Sequence, residues 1–129
     1  MKSHTSFAKY LLSVCRCFEK DIFLVELATG REISYQEFLE KVKCAAVYLK
    51  GAGLKAEDEM LLRMDNSVSA LVVFFGAILA EIIPVPVSPK LSNDDLKKIF
   101  NNSEQVNSKS NSNINQSIEI SIRKKIGNN

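Results

Sequence analysis

At 129 residues the chain has the length of one domain, and with 46% hydrophobic, 8% aromatic and 25% charged residues it can bury a core, which excludes a wholly disordered chain. Lys and Arg number 17 against 15 Asp and Glu, so the formal net charge of +2 sets up no field that argues for nucleic acid or an anionic membrane. The one histidine, His4, lies at the N-terminus, which excludes Ser-His-Asp and Cys-His relays and histidine-rich metal sites.

Phe7, Tyr10, Leu11, Val14, Cys15 and Phe18 recur at helical steps and predict an amphipathic helix, with Thr5 or Ser6 as its N-cap. Lys9 and Arg16 interrupt its apolar run and no small-residue cleavage site follows, so it does not read as a signal peptide. Cys15, Cys17 and Cys44 are odd in number and too sparse to staple a secreted domain, which implies a reduced, cytoplasmic setting. Cys15-Arg16-Cys17 could be half a metal site, but no other ligands accompany it, and small apolar residues on a helix is the preferred reading.

Ile22 to Leu27 is an apolar run ending at Ala28-Thr29-Gly30, and Glu32 to Ser34 can return beside it as a hairpin that turns at Gly30. Ser34 and Glu37 have capping-box spacing, and Phe38, Leu39, Val42, Ala45, Ala46 and Leu49 form one face of the helix that follows. It should end near Gly51 or Gly53. Met60 to Met64 reads as a strand, and Ser67 caps a helix from Val68 to Ala80 that is apolar nearly all round and so central. That run is too short to span a membrane.

Ile82 to Val87 is strand-like except for Pro84 and Pro86, which remove donors from the same flank and make it an edge strand or an extended lip before Pro89. Ser92 caps a further helix, with Leu91 stapled against Leu96 and with Ile99 and Phe100 on its buried side. From Asn101 to Ser117 the composition turns to Asn and Ser, with too little apolar surface to offset chain ordering. Ile118, Ile120 and Ile122 alternate like a strand without an evident partner, and Arg123-Lys124-Lys125 reads as a solvated charge run in preference to a nucleic-acid patch. Residues 1–104 are therefore expected to be folded and 105–129 to form a polar, disordered tail.

Gly51-Ala52-Gly53-Leu54-Lys55-Ala56 fits the dinucleotide pattern G-x-G-x-x-A, but its glycines follow a helix and precede a strand, so their amides form no phosphate nest at a helix start. Helix termination is the preferred reading. Glu81 stands among apolar residues, where burial could make it a general acid or base; a helix-end residue with its head in water is preferred. Glu57, Asp58 and Glu59 read as a solvated turn without a role.

In order, these segments resemble the N-terminal part of the adenylate-forming (AMP-dependent synthetase/ligase) superfamily, over roughly Phe7 to Glu104. Ser34-Tyr35-Gln36-Glu37-Phe38-Leu39 is similar to the family's [TS]-Y-x-E-L element, and Ala45 to Leu54 to its A-x-x-L-x-x-x-G-[LV] helix and turn. Asp58 and Asn66-Ser67 occupy places of the G-D-x-V and N-S pieces, and Gly76 to Pro89 resembles the segment ending A-G-x-x-x-V-P-x-x-P. Glu57 and Glu81 depart from the pattern, standing where the family usually has glycine. Gly76 and Val85-Pro86-Val87 lean towards fatty-acyl-AMP ligases and Leu91 to Glu104 towards acyl-CoA synthetases.

The resemblance implies an α/β fold, part of an adenylating enzyme's large domain, with helices on a small, mainly parallel sheet. It also implies ATP-dependent activation of a carboxylic acid as an acyl-adenylate, with Mg²⁺. The family's Ser/Thr/Gly-rich phosphate loop, ribose-binding Asp, hinge and C-terminal Lys would all follow the matched segment. No residue of this chain is therefore assigned a catalytic, cofactor-binding or metal-binding role. The expectation is a truncated or frame-shifted segment, inactive alone, whose partners are the missing remainder of the enzyme or a second copy. The alternatives are a non-catalytic interaction module and one half of a split enzyme.

Overall fold

The computed structural model describes residues 3–92, 94, 95, 98, 107–110 and 119–123. Their elements run α1 (Ser3–Cys17), β1 (Ile22–Glu26), β2 (Arg31–Ser34), α2 (Tyr35–Gly51), β3 (Glu59–Arg63), α3 (Val68–Leu79), β4 (Ile83–Val87), β5 (Asn107–Ser110) and β6 (Glu119–Arg123). The α/β class is as expected, with helices packed on a small sheet. The first helix begins at Ser3, ahead of the Thr5 or Ser6 expected to cap it.

β1 and β2 form the predicted antiparallel hairpin, and Gly30 takes φ 74° at its turn. Ser34 ends β2 and caps α2, its Oγ accepting from the Glu37 amide at 3.1 Å. The Glu37 carboxylate bonds the Arg31 guanidinium on β2, so only the serine half of the capping box is as predicted and the other tethers helix to hairpin. Ser67 caps α3 in the same manner through the Ala70 amide.

Both central helices close with a Schellman motif. In α2 the Gly53 amide donates to Lys50 O and the Leu54 amide to Leu49 O, with Gly53 at φ 101°. Leu49 and Leu54 are both buried, the apolar contact that accompanies this motif. In α3 the Glu81 amide donates to Ile78 O and the Ile82 amide to Ala77 O, placing Glu81 in the left-handed position at φ 65°.

The larger sheet has strand order β4-β3-β6-β5. β3 and β4 are parallel, as a strand-helix-strand crossover through α3 dictates. The Ile83 amide donates to Asp58 O, so alternation turns the backbone groups of Met60 and Leu62 towards β4 and those of Glu59, Leu61 and Arg63 away from it. Alternation also turns the missing donors of Pro84 and Pro86 outward, which makes β4 the edge strand of the two sequence alternatives.

On the far side of β3 the described residues 107–110 and 119–123 add two short strands. β6 pairs with β3 antiparallel and β5 pairs with β6 antiparallel, so the sheet is mixed. The partner that Ile120 and Ile122 lacked in the sequence is a strand some sixty residues earlier, at a distance local patterning does not span.

The main core lies between the sheet and the helices: Met60 and Leu62 from β3 meet Leu49 and Leu54 from the α2 end and Ala70, Val73 and Ala77 from α3. A second cluster, on the other side of α2 and α3, joins Ile33, Phe38, Val42, Ala45 and Val72 to Leu11 and Leu24. Thus α3 packs on both sides and is central as expected. At Gly76 an added Cβ would lie 2.7 Å from Ala45 Cβ and 3.2 Å from the Val42 carbonyl, so the α2–α3 crossing requires glycine there. The predicted helix after Ser92 is described only in part: the Asp95 amide donates to Ser92 Oγ at 3.1 Å, while the Leu96 staple and the Ile99–Phe100 face lie outside the described residues.

Candidate functional site

In an open α/β sheet, ligands bind beyond the carboxyl ends of the parallel strands. Here those ends are the Met64–Ser67 loop after β3 and the turn after Val87. A groove of about 560 Å³ lies beside the first, lined by Leu27 of the hairpin, Met64, Asp65, Asn66, Ser67 and Leu71.

Ser67, Ser88 and Arg63 at this end hold backbone groups. Ser67 Oγ accepts from Ala70, Ser88 Oγ accepts from the Lys90 amide at 3.1 Å, and the Leu91 amide donates to Ser88 O. Arg63 Nη1 donates to Leu91 O at 2.7 Å, tying the end of β3 to the turn that follows β4. Sequence reading missed Arg63 because its acceptor is a carbonyl 28 residues away, and nothing in a carbonyl's residue type announces such a bond.

ATP and Mg²⁺ require a cradle of amide and hydroxyl donors, a cation on the transferring oxygens and oxygen ligands for the metal. The Ser67 and Ser88 hydroxyls accept backbone amides in a helix cap and a turn and keep their own protons to donate, and among the described residues no group of three or more His, Cys, Asp or Glu is placed to hold a metal ion.

Each residue singled out in the sequence has a definite place. Cys15 is buried, and its burial pushes the thiol pKa up, whereas Cys17 and Cys44 are exposed; Cys15 and Cys17 do not converge on one site. Gly51 and Gly53 end α2 and form no phosphate nest. Glu81 is the left-handed residue that closes α3, half-buried at the helix end. Asp58 corrects the reading of a solvated acidic turn: it is 5% exposed, and its Oδ2 accepts from the Lys55 amide at 2.8 Å while its own amide returns to Lys55 O. No helix among the described residues is long and apolar enough to cross a membrane.

Apolar side chains remain uncovered on the hairpin and on two helices. Leu27 is 93% exposed, Val47 72% and Tyr10 66%. Phe7 and Phe18, on the apolar stripe predicted for the first helix, are also exposed; Phe7 stacks on Phe75 and Phe18 tilts against Tyr35, each covering one side of its ring.

Residues 13–106 match the family described as AMP-binding enzyme. A medium/long-chain-fatty-acid–CoA/3-oxocholest-4-en-26-oate–CoA ligase of Mycolicibacterium smegmatis is 29% identical over 80 residues, a match that takes in 62% of this chain and 14% of that protein. Among solved structures, the inhibitor-bound N-terminal domain of FACL13 from Mycobacterium tuberculosis superposes with a TM-score of 0.68 at 23% identity, over 78% of this chain and 24% of that one. Apo MatB from Rhodopseudomonas palustris gives a TM-score of 0.55 at 26% identity, over 57% of this chain and 15% of that one. The chain thus spans under a quarter of the length of each of these relatives.

Proposed function

The chain belongs to the family of AMP-binding enzymes, and on that premise we propose that it supplies the opening scaffold of a ligase that activates a carboxylic acid with ATP as an acyl-adenylate. The observation that carries this reading is the family match across residues 13–106, on a fold whose two central helices are capped by Ser34 and Ser67. A medium- or long-chain fatty acid is the first substrate class to test, following the named activity of the mycobacterial relative. The groups that grip the triphosphate and polarise the acyl phosphate are contributed from outside these 129 residues, so the chain alone does not adenylate. A cytoplasmic setting accords with three free cysteines.

Purified chain incubated with ATP, Mg²⁺ and a panel of fatty and aryl acids is expected to release no pyrophosphate above the acid-free blank. Acid-dependent release would overturn the proposal. Residues 13–106 grafted in place of the corresponding segment of an acyl-CoA ligase should leave a folded chimera able to adenylate, and a folded but inert chimera would count against the scaffold role.

The exposed Leu27, Val47 and Tyr10 favour a second reading, a non-catalytic module that binds a partner or a second copy. Its mark is a discrete oligomer or complex in size-exclusion chromatography. An open frame immediately downstream encoding the Ser/Thr/Gly phosphate loop would favour the split enzyme.

A further inference from the structure

β6 repeats the pattern of β3 in the same chain direction, Glu first and Arg last with apolar residues at the second and fourth positions. In register, Glu59, Met60, Leu61, Leu62 and Arg63 stand opposite Arg123, Ile122, Ser121, Ile120 and Glu119. Residues of opposite charge therefore hold facing register positions at both ends of the pairing. Ile120 and Ile122 take the register positions of Leu62 and Met60, the β3 residues that belong to the core beneath α2 and α3.

Alternative pairings lose this match. Parallel alignment of the same two segments would set Glu119 beside Glu59 and Arg123 beside Arg63, two like-charge pairs, and like charges directly opposite destabilise a ladder. A slip of one residue would put apolar and polar positions of β6 on the wrong faces of the sheet.

β3 also needs a second neighbour. Met60, Leu61 and Leu62 are at most 1% exposed, as in a strand covered on both faces, and the backbone groups of Glu59, Leu61 and Arg63 face away from β4. The family match stops at residue 106, whereas β6 begins at Glu119, so the match does not account for this neighbour.

We propose that Glu119–Arg123 is a built-in complementing strand, which closes the inner edge of β3 within the same chain and whose antiparallel orientation is selected by its two end charges. β5 then presents a polar outer edge, Asn107-Ser108-Lys109-Ser110, a composition that discourages addition of further strands. The inference is independent of the ligase reading and stands or falls without it.

Amide hydrogen exchange on the full-length chain tests the pairing. The Leu61 amide, which faces β6, should be protected, and the double reversal E119R/R123E should speed its exchange about tenfold relative to the Met60 and Leu62 amides, which face β4. An unprotected Leu61 in the wild-type chain, or an unchanged ratio in a folded variant, would overturn the proposal. If the variant does not fold, the wild-type protein decides by cross-strand Hα–Hα NOEs between Met60 and Ile122 and between Leu62 and Ile120, measured on a mixture of labelled and unlabelled chains. They should arise within one molecule. Their absence, or their appearance only between molecules, would refute in-chain closure, and the second result would assign the edge to another copy.

Discussion

The backbone amide of Glu57 donates to the carbonyl of Glu81 at 2.9 Å, and both residues hold left-handed backbone, at φ 72° and 65°. The bond ties the turn before β3 to the end of α3, and the next bond along, from Ile83 to Asp58 O, begins the β3–β4 ladder. Both positions are ones where the family usually carries glycine. Each position holds the left-handed conformation that glycine serves while carrying a glutamate side chain.

Left-handed backbone costs a non-glycine residue about 1–2 kcal/mol, and glycine returns part of that through the greater freedom of its unfolded chain. Glu57→Gly and Glu81→Gly are therefore each expected to stabilise the protein by about 0.5–1 kcal/mol, read as a raised urea midpoint with unchanged m. Because a hydrogen bond joins the two sites, the double variant should depart from additivity. Destabilisation by both single variants would show that the side chains matter more here than the backbone.

Gly76 is constrained differently, by its neighbours. A Cβ there would meet Ala45 Cβ at 2.7 Å and the Ala46 amide nitrogen and Val42 carbonyl oxygen at 3.2 Å, and two of these three atoms are backbone. Gly76→Ala should cost about 1–3 kcal/mol despite the better helix propensity of alanine. Ala45→Gly removes the nearest atom, so the double variant should be more stable than the sum of the single effects, giving a favourable coupling energy in a thermal-melt cycle. Strict additivity would mean that the helices separate freely.

How much of this was legible in the sequence follows from range. The caps at Ser34 and Ser67 and the glycine end of α2 are relations between residues three to five apart, and they stand where the spacing put them. The proline flank was legible as chemistry, since two prolines at period two lose donors on one side whatever the neighbours are. What escaped was tertiary. The stripe of α1 is truly periodic, yet the helix is covered mainly around Leu11 and Cys15 and leaves Tyr10 in solvent, because periodicity gives a face and not the width of what packs on it. The same holds for β6, for Arg63 and for Asp58, each defined by a partner or a burial that residue type does not disclose.

Asp58 should behave as a structural acceptor. Its Oδ2 takes the Lys55 amide at 2.8 Å in a turn where the side chain is buried, so Asp58→Ala strips that amide of its partner and should cost about 1–3 kcal/mol. Asparagine retains a carbonyl oxygen at nearly the same place, and Asp58→Asn should recover at least half of the loss. Chemical denaturation of the three proteins checks this ordering. Equal losses for Ala and Asn would shift the weight from the hydrogen bond to the carboxylate charge.

Burial pushes the thiol pKa of Cys15 above the ordinary cysteine value, while Cys17 and Cys44 lie at the surface. Only the thiolate alkylates, so at neutral pH iodoacetamide should modify Cys17 and Cys44 well before Cys15, with peptide mass spectrometry assigning the sites. Linkage fixes the sign of the effect on stability: as pH rises past the ordinary thiol range the unfolded chain releases this proton first, the folded chain holds it longer, and the folded state loses stability through that window. Cys15→Ala removes the titration, so its urea midpoint should fall less steeply with pH than that of the wild type at the alkaline end, even though the smaller side chain lowers stability throughout. Rapid labelling of Cys15 at neutral pH would mean that α1 opens from α2 and α3 far more readily than its packing through Leu11 and Phe7 implies.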